Sequence, residues 1–224
     1  MPDAADDIVN VEGYNLIRKD RGSRAGGVAL YIRSHIQFTL LDIPLEYASP
    51  VEFLVVKVRL KKTICAFGVF YRPPKRSHLS LSVLGDVIDY LRLCNIETFV
   101  FMGDLNVDLL TDSNESPHFK QLLSFNDCQQ LVESPTRITD LSESLLDVFI
   151  VNSDLMMANA EVLDMCISDH NVIKCRLQLH IESMHRSPKT FRSFKKFEYD
   201  SFSRDAEAID WNRIYNLPNL DLLQ

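Results

Sequence analysis

Glycine is scarce in this chain, seven in 224 residues beside nine prolines, and that balance excludes fibrous and low-complexity character. An excess of positive charge is missing too. The net charge of −7 and the pI of about 5.4 remove the blanket attraction to nucleic acid that marks small basic binding modules. An acidic chain that works through a bound divalent cation is not excluded by that sign. The five cysteines, Cys65, Cys94, Cys128, Cys166 and Cys175, are odd in number and form no C-x-x-C pair. Buried free thiols in a reducing compartment are therefore expected, not a disulfide framework or a zinc site. No apolar run is long enough to span a membrane, and the acidic opening MPDAADDIVN has neither a basic stretch nor an apolar one. These absences predict an intracellular protein, nuclear or cytoplasmic, and not a secreted one.

With 46% hydrophobic and 25% charged residues, the chain can bury one sizeable core. The pattern predicts a main domain over 1–180, then a polar, basic linker and a weakly helical tail over 181–224. Short β-rich runs come first: GYNLIRK at 13–19, GGVALYIR at 26–33, HIQFTLL at 35–41, VEFLVVKVRL at 51–60 and TICAFGVFY at 63–71. Between 77 and 95, Leu81, Leu84, Ile88 and Leu91 recur at helical spacing behind Ser77, a candidate N-cap. The strand ETFVFMG follows, then a short helix opened by Ser116 and Pro117. LLDVFIVN, AEVLDMCI and NVIKCRLQLH return to strands. The fold class expected is α+β, two mixed sheets packed as a sandwich with helices outside.

Three polar clusters lie at the ends of apolar runs: Tyr71-Arg72-Pro73-Pro74, Asp104-Leu105-Asn106 and Ser168-Asp169-His170. A single Asp147 falls inside LLDVFIVN, where a buried carboxylate is costly unless it is paired, metal-bound or hydrogen-bonded. Singly, each reads equally as a turn or an edge residue. In order along one chain, "GGVALYIR", "FYRPP", "FVFMGDLN", "SPTRIT", "LLDVFIVN" and "SDHNVI" resemble the endonuclease/exonuclease/phosphatase superfamily. The opening GYNLIRKDRGSRAGGVALYIR, the YRPP and the tail FRSFKKFEYDSFSRDAEAIDW resemble its LINE-type, jockey-like retrotransposon branch, the tail being similar to the connector towards a reverse transcriptase.

The resemblance implies a metal-assisted hydrolysis of a phosphodiester in DNA on a deoxyribonuclease-like four-layer fold. Asp104 would orient or deprotonate the attacking water and Asn106 would help to hold it. His170, kept cationic and oriented by Asp147, would stabilise charge on the scissile phosphate, which Tyr71 would hydrogen-bond. Asp169 would belong to the metal side, with Mg²⁺, or Mn²⁺ in its place, as the cation. Arg72 and Arg137 would grip the DNA backbone, the plain alternative for each being a surface arginine.

The family pattern also begins with a strand carrying an Asn and a second strand ending in a metal-binding Glu, and neither is present before GYNLIRK. The expectation is an N-terminally truncated endonuclease of weak or no activity, with apolar sheet surface left uncovered. The alternatives are a non-catalytic remnant that binds nucleic acid or a protein, and another phosphoesterase of the superfamily.

Overall fold

The computed structural model describes residues 9–21, 26–45, 49–60, 64–111, 113–152, 159–165, 168–177 and 198–211. The chain divides into two compact units, Met1–Glu182 and Ser183–Gln224. The first carries β1 (Tyr14–Asp20), β2 (Gly27–Arg33), β3 (Phe38–Leu41), β4 (Glu52–Arg59), β5 (Ile64–Tyr71) and β6 (Thr98–Asp104). It continues with β7 (Cys128–Gln130), β8 (Arg137–Thr139), β9 (Ser142–Ser144), β10 (Asp147–Asn152), β11 (Asn159–Leu163) and β12 (Val172–Arg176). Helix α1 (Ser82–Leu93) joins β5 to β6, and α2 (Ser116–Phe125) precedes β7. In the second unit α3 spans Tyr199–Glu207 and has no buried residue, as its polar sequence requires. The expected linker after 180 lies outside the described residues.

One mixed sheet organises the first unit, in the order β3-β4-β5-β6-β10-β7. Its strands are antiparallel except for β5 and β6, which run parallel because α1 carries the chain back across the sheet. The central strands are nearly continuous apolar runs, as strands covered on both faces must be. On one face Phe53, Phe70, Phe99 and Phe101 pack in a chain of ring contacts beneath α1 and α2. The helical spacing reads correctly: Leu81, Leu84, Ile88 and Leu91 are all buried. The helix itself begins late, because His78–Leu81 winds as a 3-10 turn, which Ser77 caps by accepting from the Leu79 N–H.

The other face carries residues of opposite parity, Val58, Cys65, Phe67, Val100, Met102, Phe149 and Val151, and packs against Ala160, Val162, Ile173 and Cys175 of the β11–β12 hairpin. The β1–β2 hairpin is a separate two-stranded sheet. Among the described residues the place of a second sheet is taken by separate antiparallel hairpins, β1–β2 and β11–β12, with β8–β9 as a third two-stranded sheet. Between β2 and the sheet an apolar cleft opens, lined by Leu30, Ile32, Val56, Val58, Phe67 and Met102. Of the cysteines, Cys65 and Cys128 are buried, and that burial pushes their thiols up to about 12 and about 11. Cys94 departs from expectation by being exposed, and Cys175 is half-buried. Cys166 lies outside the described residues.

Candidate active site

The strand registers bring four side chains into one transverse row. Glu52 of β4 lies opposite Tyr71 of β5, Tyr71 opposite Asp104 of β6, and Asp104 opposite Asp147 of β10. Directly opposed residues point to the same face, here the face that carries Val58, Phe67, Met102 and Phe149 and meets the hairpins. Neighbouring strands are about 4.8 Å apart, so the row is about 14 Å long. Asp147 is the first residue of β10, not a mid-strand residue as its surroundings in sequence suggest. That placement resolves the apparent cost of a carboxylate in an apolar run.

Gly103 lets β6 deliver Asp104. Its φ is +136°, and a Cβ there would sit 1.9 Å from the Phe70 carbonyl oxygen, so no other residue fits between these strands. Beyond Asp104 the chain turns through Asn106, held at φ +50°, a conformation that asparagine tolerates. Both Asp104 oxygens accept from Asn106, Oδ1 from its backbone N–H at 2.8 Å and Oδ2 from its side-chain amide at 2.9 Å. The same amide donates to the Arg72 carbonyl at 2.9 Å, and the Arg72 N–H donates to the Asp104 carbonyl at 2.9 Å.

Arg72 corrects the expectation that it grips DNA. Its side chain is 0% exposed, so no phosphate can reach it. The guanidinium is consumed from within: Nε donates to Ser80 Oγ at 2.7 Å, Nη1 to the carbonyls of Leu105 and Asn106 at 3.0 and 3.3 Å. Nη2 donates to the carbonyls of Arg76 and Ser77 and to Glu115 Oε1, the last at 2.6 Å. Arg72 is therefore the internal brace of the Asp104–Asn106 turn, joining it to the 3-10 turn and to the start of α2.

The second pair comes from β10 and the turn before β12. His170 Nδ1 lies 2.8 Å from Asp147 Oδ2. That bond fixes the ring and directs Nε2 away from the carboxylate. Thr136, fully buried, accepts from the N–H groups of Leu146 and Asp147 at 3.0 Å each and so sets the start of β10. The His170 turn is pinned to β8 by an isolated bridge to Arg137 and by backbone bonds from Ile138 to Asp169 and from Asn171 to Thr136. Arg137 Nε donates to Asp169 Oδ2 at 2.8 Å.

The two site carboxyls shift in opposite directions. Burial raises the Asp104 carboxyl above the ordinary carboxylate range, and the neighbouring Asp147 adds to this, while the Asn106 bonds and His170 oppose it. Asp169 is held below the ordinary range, chiefly by the hydrogen bond from Arg137. The expected metal-side residue Asp169 is thus already engaged, and among the described residues no group of three or more His, Cys, Asp or Glu side chains converges as a metal donor set. The described residues as they stand do not form a complete divalent-cation site.

Sequence reasoning placed Tyr71, Asp104, Asn106, Asp147 and His170, and the structure brings all five together. It missed Glu52, Arg21 and Thr136. Arg21 follows β1 and donates from Nε to Glu52 Oε1, with its guanidinium carbon 5.5 Å from the centre of the Tyr71 ring. In the loop after β6, Asp108 accepts from the N–H groups of Leu110 and Leu145 and from the Thr111 hydroxyl and so ties that loop to the approach of β10.

A mixed sheet with helices on one face, and with Asp–Asn and His–Asp pairs at its strand ends, is the phosphodiesterase form of an α+β fold. Residues 2–170 match the model of the Endonuclease/Exonuclease/phosphatase family, and the chain belongs to that family. Enzymes of this family generally depend on a divalent metal. Among solved structures the chain is similar to the endonuclease domain of TRAS1, a telomere-specific non-LTR retrotransposon, at 19% identity over 75% of this chain and 82% of that one, with a TM-score of 0.60. It is also similar to the human Nocturnin catalytic domain, solved with a bound sulfate anion, at 13% identity over 80% and 77% of the two chains, TM-score 0.57. A third likeness, to an endonuclease/exonuclease/phosphatase family protein from Bacteroides thetaiotaomicron, is 15% identical over 75% and 76%, TM-score 0.53. At these identities the likenesses show the fold. No curated protein matches the chain. Among the described residues no helix is long and apolar enough to cross a membrane.

Proposed function

We propose that the chain is a DNA-nicking phosphodiesterase of the retrotransposon-endonuclease kind, with low turnover. The observation that carries this reading is the single row in which Tyr71, Asp104 and Asp147 lie side by side, with Asn106 on Asp104 and His170 on Asp147. In this reading Asp104, raised by burial, takes the proton of a water aligned with the scissile bond, for a base works best near the ambient pH. His170, oriented by Asp147, and Tyr71 donate to the phosphate oxygens on which charge develops. Arg137, still 38% exposed beside Asp169, is assigned to the DNA backbone.

The cation of this chemistry is Mg²⁺, or Mn²⁺ in its place; it would neutralise charge on the phosphate, and Asp169 is the described carboxylate assigned to it. Because the described residues form no complete donor set, no step is routed through the ion, and low turnover is expected. The tail is assigned, by the resemblance of its sequence, to a connector towards a reverse transcriptase. The incomplete donor set favours one rival, a remnant that binds DNA without cutting it. Titrating Mg²⁺ and Mn²⁺ into supercoiled plasmid and following the nicked form separates the two. Slow nicking that needs a high cation concentration supports the enzyme, and binding without nicking at any concentration supports the remnant.

A further inference from the structure

The row of side chains ends in a histidine and an arginine contributed by two different hairpins. At the β10 end stands His170, from the turn before β12. At the β4 end stands Arg21, from the loop that leaves β1. Arg21 is built into place. Glu52 accepts from its Nε, the Tyr71 ring lies beneath the guanidinium, and the Arg21 N–H donates to the Gly26 carbonyl at 3.2 Å. Gly26 has φ +114°, and a Cβ there would lie 2.7 Å from Arg21 Cζ, so glycine provides the room in which the guanidinium rests. The side chain nonetheless stays 37% exposed, and a guanidinium has five N–H donors, more than Glu52 and Tyr71 take up.

The charges on the row call for such a group. Glu52, Asp104 and Asp147 are carboxylates on a chain of net charge −7, so a polyanion laid along the row is repelled at three of its four positions. The guanidinium at the β4 end offsets that repulsion. From Asp104 to the strand carrying Glu52 is two strand spacings, about 10 Å. A DNA strand has one phosphate per roughly 3.4 Å of rise, so a strand following the row brings a phosphate to Arg21 within about three nucleotides of the one being cut.

We propose that Arg21 is a nucleic-acid-binding residue of this site: it grips a backbone phosphate flanking the scissile one, and Glu52 and Tyr71 hold it in position. The proposal rests on the DNA reading of the row, but it concerns binding and not cleavage. Its test is fluorescence anisotropy of the full chain on a short labelled DNA duplex in EDTA, over a series of salt concentrations, for wild type, Arg21→Gln, Arg21→Lys and Glu52→Gln. Arg21→Gln is expected to lower the slope of log affinity against log salt by about one, the signature of one lost phosphate contact. Arg21→Lys is expected to restore the slope, and Glu52→Gln, which removes the neutralising carboxylate, to strengthen binding. A wild-type slope in Arg21→Gln together with unchanged binding in Glu52→Gln overturns the proposal, as does absence of DNA binding by wild type. Wild type that binds with the expected slopes but does not nick plasmid sinks the catalytic reading and leaves Arg21 supported.

Discussion

The site has two halves that are held in different ways. The Asp104–Asn106 turn is braced from beneath by Arg72, which is fully buried and bonded to six oxygens. The Asp169–His170 turn is held from above by an exposed Arg137–Asp169 pair and a few backbone bonds to β8. The first half is held by buried bonds to one guanidinium, the second by an exposed ion pair, backbone bonds and the Asp147–His170 contact. A base that aligns water tolerates little displacement, since small misplacements cost orders of magnitude in rate, whereas a group that follows a moving phosphate gains from some freedom.

The largest effect expected from breaking this asymmetry is Arg72→Met. It leaves the carbonyls of Leu105, Asn106, Arg76 and Ser77 without their donor and Glu115 without its cation. A loss of about 3 kcal/mol or more is expected. For a domain of this size that lowers the melting temperature by roughly 6–12 °C, measurable by calorimetry. Arg72→Lys is expected to recover only part of it, because an ammonium cannot reach oxygens spread around a planar fork.

Asp104 gives the next effect, and its sign is fixed by burial. Folding raises this carboxyl, so its contribution to stability is fully present below the unfolded value and is lost as pH rises through the folded one. The stability of wild type relative to Asp104→Asn is therefore expected to fall as pH rises from acid through the folded value, in parallel denaturant melts across pH. For the same reason the acid limb of the nicking rate should lie above the ordinary carboxylate range. The smallest effect is expected from Arg137→Gln. It removes an exposed ion pair, so the melting temperature should hardly move, while the Asp169 carboxyl, followed by NMR titration, should return upward towards its ordinary value.

The legibility of the sequence follows the same division. Asp104, Asn106 and His170 stand out as polar clusters beside apolar runs and Asp147 as a carboxylate inside one, and the long central strands and α1 announce themselves by periodicity. Arg72 cannot be read as buried from YRPP alone. Its partners lie at residues 76, 77, 80, 105, 106 and 115, and only the folded crossover collects them. Glu52 and Arg21 were hidden for a related reason: their meeting depends on the β4–β5 register and on where one hairpin lands. β7, β8 and β9 have three residues each and little apolar character, too short for any period to show.

The central claim is that the Asp104 end of the row handles the attacking water of a phosphodiester cleavage. It is tested most directly by Mg²⁺-dependent nicking of supercoiled plasmid, comparing wild type with Asp104→Ala purified alongside it. The account predicts slow nicking by wild type, reduced by about 10²–10⁴-fold in the variant. Equal nicking by the two proteins would contradict it.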